Sequence, residues 1–386
     1  MRPKLHILLL SFVYSPNLGG VETHLDDLVS YLTQRHYYVS VITYQPLLSN
    51  KNAPIIEKRK NVEIHRLPWF KFNLFHKLEK IPVLEVLYLV PVIALYSIYF
   101  ILRYRKKVDV IQTHGFNMAI VGALLAALFR IPFTVNTHVC FAFQKTSVYA
   151  RLLRTVLNAS RNILVLTSSA KKELVKIGVR PPKISVYHYW VDQVFRPLDQ
   201  RSSRRQLGWR EHDRVVLFVG RLIKAKGIDI LLRASGKFGK NTRLVIIGSG
   251  PLSQVVHEYA SKNRAIQYVG EKSTKELPLY YAAADICIIP SAPPHGAYTE
   301  GIPRVMIESF SCGTPVIATH MGGLKDYVSP SVGRIVAATA SSIARAIHDV
   351  TSDTSLLSHM RMSCVALSRS AFSRAANAEI IEDSLV

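Results

Sequence analysis

The stretch "YTEGIPRVMIESFSCGTPVIAT", residues 298–319, decides how the second half of the chain is read. Its two glutamates, Glu300 and Glu308, stand eight positions apart. On one continuous helix that spacing leaves them roughly 80° from each other, a poor shared face. A loop running into a helix reads better. Pro303 suits the first helical turn, where its missing N–H is no loss. Gly313 and Pro315 end the helix, and "VIAT" follows as a buried strand. Glu300 is then expected on the loop before the helix and Glu308 about a turn and a half inside it. Both can reach one ligand lying over the helix N-terminus.

The same alternation runs in both directions from this stretch. Upstream, "RVVLFVG", "RLVIIG", "IQYVG" and "DICIIPS" read as strands, with helical stretches starting near Gly227, Pro251 and Thr274. In the first half "LHILLLSFV", "VSVITY", "VDVIQTH" and "FTVNTH" are strands. "VETHLDDLVSYLTQR" and "FNMAIVGALLAALF" are helices. Continuous apolar strands separated by helices mean parallel sheets covered on both faces. The pattern restarts after the polar, basic connector "VDQVFRPLDQRSSRRQLGWREHD", so the α/β chain divides into two Rossmann-like domains. The expected bounds are 1–195 and 196–365, with residues 366–386 a C-terminal helix able to cross back to the first domain. Ligands in such sheets gather at strand C-terminal ends. Gly19, Gly20, His114, His138, Arg221, Gly248 and Gly250 all fall there, and two facing sheets would collect them in one interdomain cleft.

The 386 residues are 49% hydrophobic, enough for genuine cores, and carry a net charge of +23. Residues 1–195 hold 25 basic and 10 acidic side chains, residues 196–386 hold 24 and 16, so the excess lies mainly in the first half. A basic half can face nucleic acid, an anionic membrane or an acidic ligand. No zinc-finger spacing, RNA-recognition signature or aromatic-laced basic run is present, which disfavours nucleic acid. The four cysteines, Cys140, Cys287, Cys312 and Cys364, are scattered and read as small buried hydrophobes of a reducing, cytoplasmic compartment. The apolar opening lacks a small-residue cleavage site and reads as a first strand.

One segment stands apart. From Val86 to Leu102 there are 17 uncharged residues, roughly 26 Å as helix against a hydrocarbon core of about 30 Å. Pro91 interrupts it, and Arg103, Arg105, Lys106 and Lys107 follow. A buried or partly exposed domain helix is the first reading, an interfacial anchor the second and a true span the third.

For chemistry, "VGRLIKAKGIDILL" places Arg221 just past a strand and Lys226 just before a helix. Two cations beside a helix N-terminus suit a diphosphate, the guanidinium binding it bidentately and the ammonium as a point charge. "GSGP" (248–251) and "EGIP" (300–303) add glycine turns able to approach phosphates closely. Neither a P-loop nor a G-x-G-x-x-G fingerprint occurs. Glu22, His24, Asp26 and Asp27 read first as an ordinary charged helix start, with an acceptor contact from Glu22 and His24 as the second reading. His114 reads first as a structural strand-end residue.

"GGVETHLDDLVSYL", "FVGRLIKAKGIDILL", "IIGSGP", "YYAAADICIIPS", "EGIPRVMIES" and "SCGTPVIATHMGG" resemble, in this order, the motifs of the retaining group-1 (family 4) glycosyltransferases of GT-B fold. The resemblance runs from the first strand to about residue 336. It implies a metal-independent hexosyl- or related transferase of glycan or glycolipid biosynthesis. No separate cofactor is implied beyond the UDP- or GDP-linked sugar substrate. Glu300 would contact the transferred sugar near its reacting carbon, and Glu308 the ribose hydroxyls. Arg221 and Lys226 would hold the diphosphate. Gly20 would lie over the phosphates, and His138 beside the donor sugar. Gly301, Ile302 and Pro303 would complete the donor loop. No Asp-x-Asp motif is present, so the cations would replace a bridging metal. The chain departs from the family pattern at Asp326, where glutamate is usual, and at Tyr189 and Trp190, which replace Asn and Gly.

The acceptor is expected to be a glycan or a lipid-linked sugar handled by the first half, with the protein peripheral on the inner face of a membrane. A catalytically silent GT-B subunit stabilising a partner glycosyltransferase is the alternative. A sugar-nucleotide epimerase of the same fold fits the helix glutamates less well.

Overall fold

The computed structural model describes residues 5–17, 19–47, 52–70, 78, 81–104, 107–141, 147–292 and 298–386. Of Pro82, Val139–Phe141 and Tyr298–Glu300 only the backbone is described. The Glu300 side chain therefore lies outside the described residues, as do the Cys140 side chain and the whole of Arg105 and Lys106. The chain forms two compact units, residues 1–188 with 377–386, and residues 189–376.

The first unit is built on strands β1 (His6–Ser11), β2 (Tyr38–Tyr44), β3 (Ile56–Arg59), β4 (Val62–Leu67), β5 (Val110–His114), β6 (Phe133–Asn136), β7 (Ile163–Val165) and β8 (Ile184–Val186). They lie in the order β3-β4-β2-β1-β5-β6-β7-β8, parallel except for the β3–β4 hairpin. Ile7, Leu8, Leu9 and Leu10 of β1 are fully buried because the central strand is covered on both faces. The chain leaves β1 for β2 on one side and returns to β5 on the other. The order thus reverses between β1 and β5, where a crevice opens at the strand C-terminal ends.

Helices α1 (Gly20–Gln34), α2 (Pro82–Tyr104) and α3 (Phe116–Phe129) are the ones that matter below. α2 runs unbroken through Pro91, although the sequence suggested an interruption.

The second unit carries β9 (Arg214–Val219), β10 (Thr242–Ile247), β11 (Ile266–Gly270), β12 (Ile286–Ile289), β13 (Val316–Thr319) and β14 (Gly333–Val336). Their order is β11-β10-β9-β12-β13-β14, all parallel, reversing between β9 and β12. Helices α4 (Ile228–Ser235), α5 (Arg304–Ser311), α6 (Ala340–Ser352) and α7 (Thr354–Ala371) pack in this unit. Val216, Phe218, Leu231, Ile246, Ile288 and Ile347 form part of its core.

The stretch around Glu308 folds as loop, helix and strand. Pro303 is the N-cap of α5, and Gly313, at φ +77°, follows its C-cap Cys312. Tyr298–Glu300 is a short strand rather than plain loop.

A last helix, α8 (Arg374–Leu385), spans the point where the chain passes from the second unit back to the first. Within the first unit, Glu382 accepts from Tyr31 at 2.7 Å and pairs with Arg35 at 3.1 Å. Asn377 accepts from the His188 backbone at 2.6 Å.

Candidate active site

In the second unit, two turns at the β9/β12 switch point are locked together through their backbones. Gly227, at φ +69°, has no room for a side chain, since a Cβ there would stand 1.8 Å from the Pro290 carbonyl oxygen. Ala292 N–H donates to the Ala225 carbonyl at 3.0 Å across the same junction. The turn after β10 is tied in likewise: Leu222 N–H donates to Ser249 O at 2.8 Å, and a Cβ on Gly248 would meet Gly220 O at 1.9 Å. Gly248 is thus required by backbone packing, a scaffold reason the sequence did not reveal. These interlocked turns carry Arg221, exposed and without an ion pair among the described residues, and Lys226, half-buried at the end of the 3₁₀ turn Lys224–Lys226. Both cations thus flank the crevice end of the sheet.

Glu308 lies in α5 and is 7% exposed. Its carboxylate accepts from Arg304 Nε at 3.2 Å and from the Tyr281 hydroxyl at 2.9 Å. Arg304 also donates from Nη1 to the Trp190 carbonyl at 3.2 Å. Burial, and then the nearby Glu308 carboxylate, push the Tyr281 hydroxyl well above its ordinary pKa, so it remains a donor. A buried carboxylate held by a guanidinium and a phenol cannot rotate freely, and its oxygens keep fixed directions. The sequence reading missed both supports. The four-residue step from Arg304 to Glu308 was the available signal; Tyr281 gave none. Tyr189 and Trp190, the positions that depart from the family turn, are 2% and 3% exposed, and Trp190 joins this network through its backbone.

Gly301, Ile302 and Pro303 are buried, and Gly301 O accepts from Gly323 N–H at 2.9 Å. Ile302, 4% exposed, packs as a core side chain, so any contact it offers a ligand comes from its backbone. Asp326 is exposed at the end of the 3₁₀ segment Gly322–Asp326. Cys287 and Cys312 are buried free thiols, and burial pushes Cys287 up to about 12, out of nucleophilic range.

In the first unit, Gly20 opens α1 immediately after the β1 turn and is exposed. His114, at the end of β5, and His138, just past β6, stack with centroids 5.1 Å apart, and His114 Nδ1 shares a hydrogen bond with His138 Nε2 at 3.0 Å. Burial holds both imidazoles neutral, His114 well below its usual range and His138 near 3. In that form one ring donates and the other accepts. His24, expected on a charged helix surface, is instead 0% exposed, and Glu22 is 5% exposed. His24 turns inward because it sits on the buried side of α1, with Leu25, Leu28 and Leu32. Its ring lies 6.1 Å from His138 and meets the Tyr187 hydroxyl at 3.4 Å.

Two sheets of this topology, with glycine-locked turns carrying Arg221 and Lys226 at one switch point and a histidine pair at the other, narrow the family, and comparison with known proteins decides it. Residues 18–194 match the Glycosyltransferase Family 4 model and residues 199–364 the Glycosyl transferases group 1 model. The chain belongs to the group 1 glycosyltransferases. This glycosyltransferase is 31% identical over 238 residues to the D-inositol 3-phosphate glycosyltransferase of Mycobacterium marinum. That match covers 56% of the chain and 49% of the mycobacterial protein, about half its length. The fold superposes on sucrose-phosphate synthase from Thermosynechococcus elongatus with TM-score 0.79, at 22% identity, over 98% of both chains. It superposes on Anabaena HepE, solved in complex with UDP-glucose, with TM-score 0.74, at 18% identity, over 99% of both. The glycosyltransferase therefore has the GT-B fold.

Proposed function

We propose that the protein transfers a sugar from a nucleotide-diphosphate donor to a glycan or lipid-linked acceptor with retention of anomeric configuration. The observation that carries this reading is the grouping of Arg221 and Lys226 on interlocked turns at the β9/β12 switch point. Arg221 and Lys226 hold the diphosphate and stabilise the charge that grows on it as the glycosidic bond breaks. With these two cations at the diphosphate, transfer proceeds without a metal. Glu308, held by Arg304 and Tyr281, accepts hydrogen bonds from the ribose diol. The family resemblance gives Glu300 the role of contacting the sugar near its anomeric carbon, where oxocarbenium character develops. The same resemblance gives His138, bonded to His114, the place beside the donor sugar, and gives exposed Gly20 the phosphates.

In this mechanism the acceptor hydroxyl attacks from the side the diphosphate leaves, and a phosphate oxygen takes its proton. The lipid-linked acceptor suits a cytoplasmic enzyme that works at a membrane surface. The likeness to a protein solved with UDP-glucose supports a UDP-sugar donor, with GDP-sugars second.

A thermal-shift screen of UDP-, GDP- and ADP-sugars, followed by NMR of the product anomer, tests the reading. Stabilisation by one donor class and a retained linkage are expected; an inverted linkage would overturn the mechanism. Absence of donor binding and turnover would favour a silent subunit.

A further inference from the structure

α2 is apolar on both its buried and its exposed sides. Its buried side holds Leu89, Ile93 and Phe100, each 0% exposed, together with Glu85 and Ser97, 8% and 0% exposed. Its outward side carries Val83, Leu87, Pro91, Leu95, Tyr99 and Leu102, each three or four residues after the last, so they form one line along the helix. Leu87, Leu95 and Leu102 are 63%, 68% and 62% exposed. From Val83 to Leu102 the line is about 28 Å long. A surface helix of a water-soluble domain normally carries polar side chains on its outward side.

The apolar face does not stop at α2. α3 packs beside it and exposes Leu124 and Leu128. No charged residue occurs in α3, and the only acid of α2 is the buried Glu85. Two helices packed against each other thus both expose leucines and neither exposes a carboxylate, the kind of apolar surface that marks an interaction site.

Charge says what covers it. α2 ends at Tyr104, shortly before β5, and α3 ends at Phe129, shortly before β6. β5 and β6 are parallel neighbours, so both helix C-termini gather at one edge of the sheet. There stand Arg103, Lys107 and Arg130, all exposed; among the described residues their one ion pair is a long 3.8 Å contact from Lys107 to Asp109. An apolar line with cations at its end and no anions along it complements acyl chains beneath phosphate headgroups.

We propose that the α2–α3 face docks the first unit onto an anionic phospholipid bilayer. The leucines enter the headgroup–acyl boundary, and Arg103, Lys107 and Arg130 meet the lipid phosphates. α2 lies on the membrane rather than across it, because its inner side is committed to protein. Tyr44 donates to the Leu89 carbonyl at 2.8 Å, and His65 bonds the Tyr96 hydroxyl at 2.8 Å. The proposal deepens the reading of an enzyme working at a membrane and rests on it only for its purpose, since docking is measured without turnover.

The test is co-sedimentation of the full chain with vesicles of equal parts phosphatidylglycerol and phosphatidylcholine, and with phosphatidylcholine alone. Binding to the anionic vesicles at low salt is expected, weakened by high salt and by omission of phosphatidylglycerol. The triple variant L87S/L95S/L102S and the charge variant R103E/K107E/R130E should each lower partitioning at least about tenfold. Should either variant fail to fold, a fluorophore on L95C answers the same question. It should shift to the blue with anionic vesicles while one on K240C, in the second unit, does not. Protein that stays in the supernatant at low salt overturns the proposal. So does unchanged partitioning in both variants, or a concentration-dependent dimer that the leucine variant dissolves, which would make a second copy the occupant.

Discussion

Glu308 keeps its direction because Arg304 and Tyr281 bind it from within the same unit. Removing Arg304 leaves a buried carboxylate without its counter-charge, which costs about 3–5 kcal/mol. Arg304→Ala should therefore lower the unfolding midpoint of the second unit sharply in urea titration. Tyr281→Phe, which removes one bond to a charged group, should cost about 1.5–3 kcal/mol. Arg221 makes no ion pair among the described residues and is exposed, so Arg221→Ala should leave that midpoint unchanged. Steady-state donor turnover should nevertheless fall about 10²–10³-fold, the loss typical of one transition-state charge stabiliser. A midpoint drop without loss of turnover would place Arg221 in the scaffold instead.

At the scale of elements, the turns after β9, β10 and β12 behave as one piece. A methyl on Gly248 meets the Gly220 carbonyl oxygen, a backbone atom that cannot swing aside, and φ +135° is itself unfavourable for alanine. Gly248→Ala should destabilise the second unit by about 2–4 kcal/mol, read by calorimetry, even without any ligand. The long apolar patterns were legible in sequence: Phe116–Phe129 was read with the bounds the structure gives it. The short strands Ile163–Val165 and, at the sheet edge, Ile184–Val186 were not, since three residues carry too little periodicity to register. Ile56–Arg59 and Val62–Leu67 mix charged with apolar residues and so lack the continuous run that marks a doubly covered strand. Among the proposed site residues, the elements that carry Arg221, Lys226 and Glu308 could be read because turn and helix signals flank each of them. The His114–His138 bond and the Tyr281 support could not, because packing joins residues distant in sequence. His24 was assigned to the surface from its charged neighbours, yet helical phase, not neighbours, decides which way a side chain faces.

For the molecule as a whole, acid should act first on the first unit. The folded unit holds His114 and His138 neutral, whereas in the unfolded chain each titrates near about 6.5. Stability is then fully present above about pH 6.5 and is lost as pH falls toward the folded values. Each pH unit in that window costs up to about 1.4 kcal/mol per fully buried histidine. His138 keeps partial exposure, so its share is smaller. Hydrogen-exchange protection at β5 and β6, corrected for the intrinsic pH dependence of amide exchange, should fall between about pH 6.5 and about pH 5, ahead of the second unit's strands, and His114→Gln should flatten that dependence. The return of residues 377–386 to the first unit has a consequence for biosynthesis. A ribosome delivers the Glu382 partner of Tyr31 and Arg35 only after every strand of the second unit has emerged. The nascent first unit must wait without that contact, so a translational pause ahead of residue 377 would prolong its exposure to chaperones and proteases.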